Sequence, residues 1–138
     1  MGRRAERWVE MKLLLDTVTF LHAVLDPSEL SSHASDLLLD PRNERYLSSI
    51  SVWEIAIKYS LGKIELAERP DRFVPKHRAL LGAAVLTLEE ESALHVTRLP
   101  EIHRDPFDRI LICQAIVHGM VLLTPDEQIS RYPVRTAW

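Results

Sequence analysis

Residues 105–127 read DPFDRILICQAIVHGMVLLTPDE, and this stretch decides the fold class. Its first part predicts a helix over Pro106–His118 that follows Asp105 and ends before Gly119, because proline favours the first helical position and glycine the position after the last. The apolar run Met120–Leu123 comes next and predicts a buried strand. A helix that leads directly into a short apolar strand is typical of an α/β domain with a mainly parallel sheet.

The same alternation of helices and short apolar strands continues outside that stretch. Further strands are predicted over Lys12–Leu15, Arg45–Ile50 and Ala84–Leu88, with an edge strand over Val134–Trp138. Further helices are predicted over Thr17–Leu25, Ser28–Leu39, Ser51–Leu61, Asp71–Leu81 and Glu89–His95. Ser28 would cap the second helix, and Gly62 and Gly82 would end two others. The pattern therefore predicts one α/β domain built on a mainly parallel sheet of four to five strands.

Length and composition exclude several classes of protein. A chain of 138 residues fits one domain with its own core. Its apolar runs are far shorter than the ~20 residues of a membrane span, so we expect no membrane contact. The segment MKLLLDT is too soon interrupted by Asp16 to be a signal peptide, and we expect a cytoplasmic protein. Residues 1–10 look unlike the rest, and we expect a disordered N-terminal extension before a domain over residues 11–138.

Cysteine content and charge limit the chemistry further. Cys113 is the only cysteine, which excludes an internal disulfide and a thiolate metal cluster, and its apolar neighbours predict a core position. The formal net charge of -3 provides no overall attraction to nucleic acid. A polyanionic substrate would therefore need a local basic rim or bridging metal ions.

Four acidic residues lie where predicted strands end or a helix begins. Asp16 follows the first strand directly, Glu54 lies just past the second, and Asp126 follows the strand that ends at Leu123. Asp108 is in the first turn of the helix that leads into that last strand. The carboxyl ends of parallel strands open on one edge of a sheet, where ligand crevices form. We expect the four carboxylates to converge there.

Each of these acids has an alternative explanation as part of a helix cap. Ser51–Glu54 matches a capping box, and Thr124–Glu127 matches a second one with proline at the first helical position. Asp105 would cap the long helix, and the positive end of that helix favours Asp108. Asp16 would cap the helix that follows it. For any one acid taken alone, capping and chemistry both stay open.

Convergence of the four acids would have a chemical consequence that capping lacks. Carboxylates within ~4 to 6 Å of one another repel, and protonation or a bound cation relieves the repulsion. An oxygen-only ligand set suits a hard ion, Mg²⁺ or Mn²⁺, rather than zinc. Such an ion can activate water and neutralise a phosphate under attack, so the chemistry that fits best is phosphodiester hydrolysis.

Four strings in this order resemble the PIN-domain family, in particular the toxins of VapBC-type toxin–antitoxin pairs. They are MKLLLDT at 11–17, ISVWEIAIKYSLGKI at 50–64, HRDPFDRILICQAIVHG at 103–119 and LLTPDEQI at 122–129. The resemblance extends from Met11 to the C-terminus. It implies a three-layer α/β/α domain and a metal-dependent endoribonuclease that is the toxin of a type II toxin–antitoxin system. It also implies a homodimer and a cognate antitoxin that inserts a segment near the acidic site.

The resemblance assigns catalytic and metal-binding roles by motif. It implies that one or two Mg²⁺ or Mn²⁺ ions are held by the acids Asp16, Glu54, Asp108 and Asp126. Asp105 is a less certain ligand, because it could instead cap the helix and pair with Arg109 one turn on. The chain departs from the usual pattern at Val18, where relatives often carry histidine, and this difference could alter substrate preference.

Several neighbours of the acids are candidates for substrate contacts. Thr17, Ser51 and Thr124 could bind a phosphate oxygen or a water molecule at the metal, with capping as the alternative. Arg104 and Arg109 are candidates for phosphate contacts, with a solvated surface charge as the alternative. We interpret His103 as a loop residue rather than a ligand or general base. The aromatic residues that could stack on bases are interpreted as core residues instead, namely Trp53, Phe107 and Trp138.

Two alternative functions remain open from the sequence. A phosphoacceptor receiver-like signalling domain has a parallel α/β fold and an acidic pocket, but it requires a lysine at the end of a late strand, and none follows Leu123. A catalytically inactive PIN-fold binding module would have no reason to retain four mutually repelling acids. The sequence favours the metal-dependent ribonuclease.

Overall fold

Five parallel strands form one sheet in the computed structural model, which describes residues 11–138. The N-terminal extension predicted over residues 1–10 lies outside them. The order across the sheet is β3-β2-β1-β4-β5, and every pair of neighbouring strands is parallel. The strands are β1 Lys12–Leu15, β2 Glu44–Ser48, β3 Ala83–Leu86, β4 Val121–Leu123 and β5 Thr136–Ala137. This topology confirms the predicted parallel α/β sheet.

Within residues 11–138, six α-helices connect and cover the strands. They are α1 Thr17–Leu25, α2 Ser32–Leu39, α3 Ser49–Ser60, α4 Pro70–Leu81, α5 Glu90–His95 and α6 Pro106–His118. Short 3-10 turns occur at Pro27–Glu29, Val96–Arg98 and Ile129–Arg131. Within the described part of the chain, no helix is long and apolar enough to cross a membrane.

Two hydrophobic clusters lie on opposite faces of the sheet. Leu14 belongs to the cluster that contains α6 residues such as Ile112, whereas Leu15 packs with Phe20 of α1 and Phe73 of α4. Successive strand residues point to opposite faces, so the consecutive leucines of β1, Leu13–Leu15, supply both layers of core. The result is the expected α/β/α sandwich. Cys113 is buried in α6, as predicted.

The strand order creates a switch point beside β1. Within the sheet, β2 and β3 lie on one side of β1, and β4 and β5 lie on the other side. A crevice forms at the carboxyl ends of the strands at such a point. The first residue after β1, Asp16, donates its backbone N–H to Leu123 O at 3.3 Å, which joins the ends of β1 and β4.

The predicted start of α2 at Ser28 is wrong. Pro27 begins a 3-10 turn, Leu30 is extended at φ -80°, ψ 143°, and the helix starts only at Ser32. Its cap is Ser31, whose hydroxyl accepts a hydrogen bond from Ala34 N at 2.9 Å. A serine can cap a helix only where the following backbone is helical, and the turn at Pro27 delays that point.

The junction between β2 and α3 also differs from the prediction. The strand ends at Ser48 and not at Ile50, and Ser48 caps α3 by accepting from Ile50 N at 3.0 Å. The predicted capping box at Ser51–Glu54 is therefore wrong, because both residues lie inside the helix. The remaining predicted boundaries shift slightly, to those given above for β3, β4, β5, α4 and α5.

The cap of α2 provides a test of this part of the fold. Replacing Ser31 by alanine removes the acceptor for Ala34 N, and we expect it to lower the free energy of unfolding by about 1 kcal/mol. Ser28→Ala is the matched control, because Ser28 is exposed and its hydroxyl contacts only the side chain of Asp26 among the bonds described. Chemical denaturation of both variants gives the comparison, and a larger loss in Ser28→Ala would contradict this assignment of the cap.

Candidate metal centre

Asp16 is both a helix cap and a buried acid. Its Oδ1 accepts a hydrogen bond from Thr19 N at 2.8 Å, and its Oδ2 accepts one from Thr124 Oγ1 at 2.5 Å. The residue is only 4% exposed. Burial raises the pKa of the Asp16 carboxyl above its ordinary value, and the nearby charge of Asp126 adds to this, although the hydrogen bonds oppose it.

Glu54 reaches the same region from α3. Its Oε1 accepts a hydrogen bond from Thr17 Oγ1 at 2.7 Å, and its Oε2 lies 2.6 Å from Lys58 Nζ. Thr17 Oγ1 is also 2.9 Å from Ser51 Oγ. A hydroxyl carries one proton, so Thr17 donates to Glu54 while Ser51 donates to Thr17. These contacts tie the start of α1 to α3 and hold Glu54 in place.

Asp108 is a second acid whose surroundings raise its pKa. It lies in the first turn of α6, where Asp105 caps the helix by accepting from Phe107 N at 2.9 Å. Burial raises the pKa of Asp108 to about 7, and the charges of Asp105 and Asp16 contribute to this. The folded protein therefore holds this carboxyl in an environment that disfavours its charge.

Asp126 lies in the turn after β4. Its backbone N–H donates to Thr124 Oγ1 at 3.1 Å, and its Oδ1 accepts from Gln128 N at 2.9 Å. The predicted capping box at Thr124–Glu127 is wrong, because a turn and then a short 3-10 helix follow instead of an α-helix. Thr124 Oγ1 instead links two acids, since it also donates to Asp16.

One pocket of ≈ 350 Å³ brings these side chains together. It is lined by Asp16, Thr17, Val18, Leu21, Glu54, Lys58, Ile64, Asp105, Asp108 and Asp126. The four acids at the predicted strand ends and helix start therefore share a cavity, and Asp105 lies at the same cavity while it caps α6. Thr124 contacts Asp16 directly, and Ser51 reaches Glu54 only through Thr17.

The sequence interpretation missed two residues at this pocket. Lys58 is four residues after Glu54 on α3, a spacing that could have predicted the ion pair. His103 is in a loop, as interpreted, yet its Nε2 lies 3.4 Å from Asp108 Oδ2. Potential ligand atoms of His103, Asp108 and Asp126 lie within 4.8 Å of one another. Only the tertiary structure brings His103 to the acids.

The side chain of Arg109 does not form the predicted pair with Asp105. Its Nη1 donates to Pro100 O at 2.9 Å, and its Nη2 lies 3.5 Å from Glu101 Oε2. The predicted pair with Asp105 is replaced by these contacts, which argue against a role for Arg109 in binding substrate phosphate. Arg104 is exposed in the loop next to Asp105, so its expected phosphate contact stays a prediction.

The predicted core position of Trp53 is also wrong. Its side chain is on the outer part of α3 and is 58% exposed. It packs edge-on against Phe107 with 5.4 Å between ring centroids. Phe107 and Trp138 are half-buried. An apolar position within a helix pattern does not distinguish core from surface when the helix lies at the rim of a cavity.

The side chains present fit a hard divalent cation. Several carboxylates face one cavity, and the raised pKa of Asp108 reflects the cost of holding its charge there. A cation removes this cost by direct attraction, and carboxylate oxygens are the ligands that Mg²⁺ and Mn²⁺ prefer.

Comparison with known proteins identifies related sequences and folds. The family model described as PIN domain matches residues 13–134. A curated relative, Ribonuclease VapC16 of Mycobacterium tuberculosis, is 36% identical over 59 residues, which are 43% of this chain and 42% of that protein. The match thus spans about two-fifths of the relative.

Solved structures are similar over nearly the whole chain. A VapBC2 structure from Rickettsia felis, bound to a promoter DNA fragment, matches with a TM-score of 0.71 at 18% identity, covering 92% of this chain and 98% of the other. A DNA-bound VapBC structure from Salmonella typhimurium matches with a TM-score of 0.66 at 22% identity, covering 92% and 97%. At these identities the likeness shows a shared fold.

The raised pKa of Asp108 predicts how the free energy of unfolding depends on pH when no metal is bound. The pKa of Asp108 is raised in the folded state, so between pH about 4 and 7 the folded chain binds more protons than the unfolded chain, and stability falls as pH rises. Asp108→Asn removes the charge. At pH 8 in EDTA we expect it to raise the free energy of unfolding by about 1 to 2 kcal/mol, allowing for partial exposure.

The control for this measurement is Asp36→Asn, the same chemical change on the exposed face of α2. Denaturation at pH 5 and pH 8 compares the variants. The Asp108 variant should lose less stability between the two pH values than the wild type. A lower stability of Asp108→Asn at pH 8 would contradict the electrostatic cost assigned to this site.

Proposed function

The chain belongs to the PIN-domain family, and we propose that it is a metal-dependent endoribonuclease, the toxin of a type II toxin–antitoxin system. The observation that carries this proposal is the shared pocket of Asp16, Glu54, Asp108 and Asp126 at the carboxyl edge of the parallel sheet. RNA is chosen as substrate because the curated relative is named a ribonuclease.

The metal site would consist of the four acids, with Asp105 at its edge. Mg²⁺ or Mn²⁺ is proposed because the facing carboxylates supply oxygen ligands. When bound, the ion supplies Lewis-acid chemistry that favours attack of water on a phosphodiester and neutralises the negative charge that develops. A folded domain over residues 11–138 would contain all of these residues.

The hydroxyl groups around the acids act mainly by holding them. Thr17, itself held by Ser51, donates to Glu54, and Thr124 donates to Asp16, so each carboxylate keeps one orientation. This role replaces the substrate contact expected for these three side chains, because their hydroxyl protons are already engaged. Carboxylates fixed in this way need less reorganisation when a ligand binds.

Substrate phosphate would be held by cations at the rim. Lys58 lines the pocket, and its ion pair with Glu54 lowers the net negative charge of the cavity that a phosphate has to enter. Arg104 is exposed next to Asp105 and is the second candidate. A net charge of -3 makes such local cations necessary for any polyanion to approach.

The proposed protein partners are a cognate antitoxin and a second copy of the chain. The proposed location of the protein is the cytoplasm. The structural neighbours described above are VapBC complexes. Exposed apolar side chains next to the pocket, Val18 on α1 and Trp53 on α3, provide a surface that a partner segment could cover.

The alternatives have less support. In a receiver-like domain a lysine would follow the late strand β4, and Thr124 stands there. An inactive binding module would not require the four acids that face the cavity, nor the hydrogen bonds that orient two of them.

Amide substitutions test the proposed catalysis while retaining one hydrogen bond of each side chain. In Asp16→Asn the amide oxygen can still accept from Thr19 N, and in Glu54→Gln it can still accept from Thr17. Loss of one metal ligand should lower Mg²⁺-dependent RNA cleavage by about 10² to 10⁴-fold, since several kcal/mol of transition-state stabilisation come from the ion. Cleavage of a labelled RNA measures the effect.

Asp36→Asn serves again as the matched control and should cleave like the wild type. Thermal unfolding verifies that each variant folds. Retained cleavage in both Asp16→Asn and Glu54→Gln would contradict the proposed function.

The proposed biological role has its own test. Expression of the chain alone should arrest bacterial growth and degrade RNA, and co-expression with the neighbouring reading frame should restore growth. Chain carrying Asp16→Asn should be harmless in the same cells. Growth arrest that persists in this variant would contradict a toxic role based on catalysis.

A further inference from the structure

Tyr132 holds the ring of His103 from behind. The phenol is buried, with only 3% of the residue exposed, and its oxygen lies 2.9 Å from His103 Nδ1. The same oxygen accepts from His103 N at 3.1 Å and from Arg109 Nη1 at 3.3 Å. The carbonyl oxygen of His103 lies 3.3 Å away. One hydroxyl thus meets four polar atoms of two residues.

The other ring nitrogen of His103 faces the acids. Nε2 is buried and forms no hydrogen bond among the described residues. It lies 3.4 Å from Asp108 Oδ2, and Asp126 offers a carboxylate oxygen within 4.8 Å. Whether this nitrogen carries a proton decides what it can do there, because a protonated nitrogen donates and an unprotonated one can bind a metal.

Counting hydrogen-bond donors around the phenol shows which role Nδ1 of His103 plays. A phenol oxygen has one proton and two acceptor positions. The backbone N–H of His103 and the guanidinium N–H of Arg109 can only donate, so they fill both acceptor positions. The phenol must then donate its own proton to an acceptor. Two acceptors are in reach, and His103 Nδ1 at 2.9 Å is nearer than the carbonyl oxygen of His103 at 3.3 Å.

We propose that Tyr132 holds neutral His103 in the tautomer with its proton on Nε2, so that His103 presents a donor and not a metal-binding lone pair to Asp108 and Asp126. The N–H of His103 then faces the Asp108 carboxylate, whose Oδ2 lies 3.4 Å from Nε2. The opposite tautomer would aim three N–H donors at one phenol oxygen, which has acceptor positions for only two.

This arrangement has a consequence for metal selectivity, and that part of the inference depends on the proposed function. Imidazole nitrogen favours Zn²⁺ and similar transition metals, which bind most sites more tightly than Mn²⁺. A histidine that offers N–H leaves only oxygen ligands at the pocket. Tyr132 would therefore act through His103 to keep the site suited to Mg²⁺ and Mn²⁺.

The tautomer can be measured directly in the metal-free wild-type protein. Two-bond ¹H–¹⁵N correlation spectra distinguish the two ring nitrogens, and His103→Gln identifies the signal among the six histidines of the chain. At a pH where the ring is neutral, we expect the proton on Nε2. A proton on Nδ1 of the neutral ring overturns the proposal, and this measurement requires neither RNA nor metal.

A second measurement tests the role of the phenol. Tyr132→Phe removes the donor to Nδ1, and we expect the signal of His103 to shift toward the Nδ1–H form. Calorimetry should then show the affinity for Zn²⁺ rising about tenfold relative to that for Mn²⁺. Tyr46→Phe is the matched control, since its phenol contacts Glu44 on β2 and should leave the ratio unchanged.

The two results separate the inference from the proposed function. An unchanged ratio of Zn²⁺ to Mn²⁺ affinity in Tyr132→Phe overturns the selectivity role. Failure of the wild type to bind either ion overturns the proposed metal dependence, while the tautomer is decided by the spectra of the metal-free protein.

Discussion

Asp16 accepts hydrogen bonds from two parts of the chain that are far apart in sequence, Thr19 at the start of α1 and Thr124 at the end of β4. This buried carboxylate joins β1 and β4 at the switch point of the sheet, where the other acids also meet. A buried carboxylate is stable only when such donors compensate for lost water. The fold therefore requires polar groups at the place where it also forms a cavity.

The acids differ in how their structural and chemical roles combine. Asp16 and Asp105 do cap helices, and both also line the pocket. Glu54 caps nothing, since Ser48 starts its helix, and its carboxylate is held by Thr17 and Lys58. Capping and metal binding are thus compatible, because a carboxylate has two oxygens and a cap needs only one. An acid at a helix start is weak evidence for a site unless several share one edge.

Local patterns predicted what local physics determines. The bounds of Lys12–Leu15 and Pro106–His118 agree with the structure because an apolar run, a proline and a glycine define them. The convergence of the acids follows from the predicted strand ends together with the start of the helix that carries Asp108. The pattern predicts Ser28 instead of Ser31 as the cap of α2, because both serines precede apolar residues. Only the 3-10 turn that begins at Pro27 distinguishes them. Lys58 could have been found from its spacing to Glu54 on α3.

The contacts that determine the chemistry of the pocket are less accessible from sequence. His103 and Tyr132 are 29 residues apart, and neither has a pattern that links it to the other. Arg109 turns away from the acids because the loop before α6 offers carbonyl groups, which a single sequence does not reveal. A sequence can thus predict which charges meet at a sheet edge. Hydrogen bonds behind the site, such as the one between Tyr132 and His103, determine which protons face those charges. The ligand preference of an acidic pocket is therefore a property of the tertiary structure.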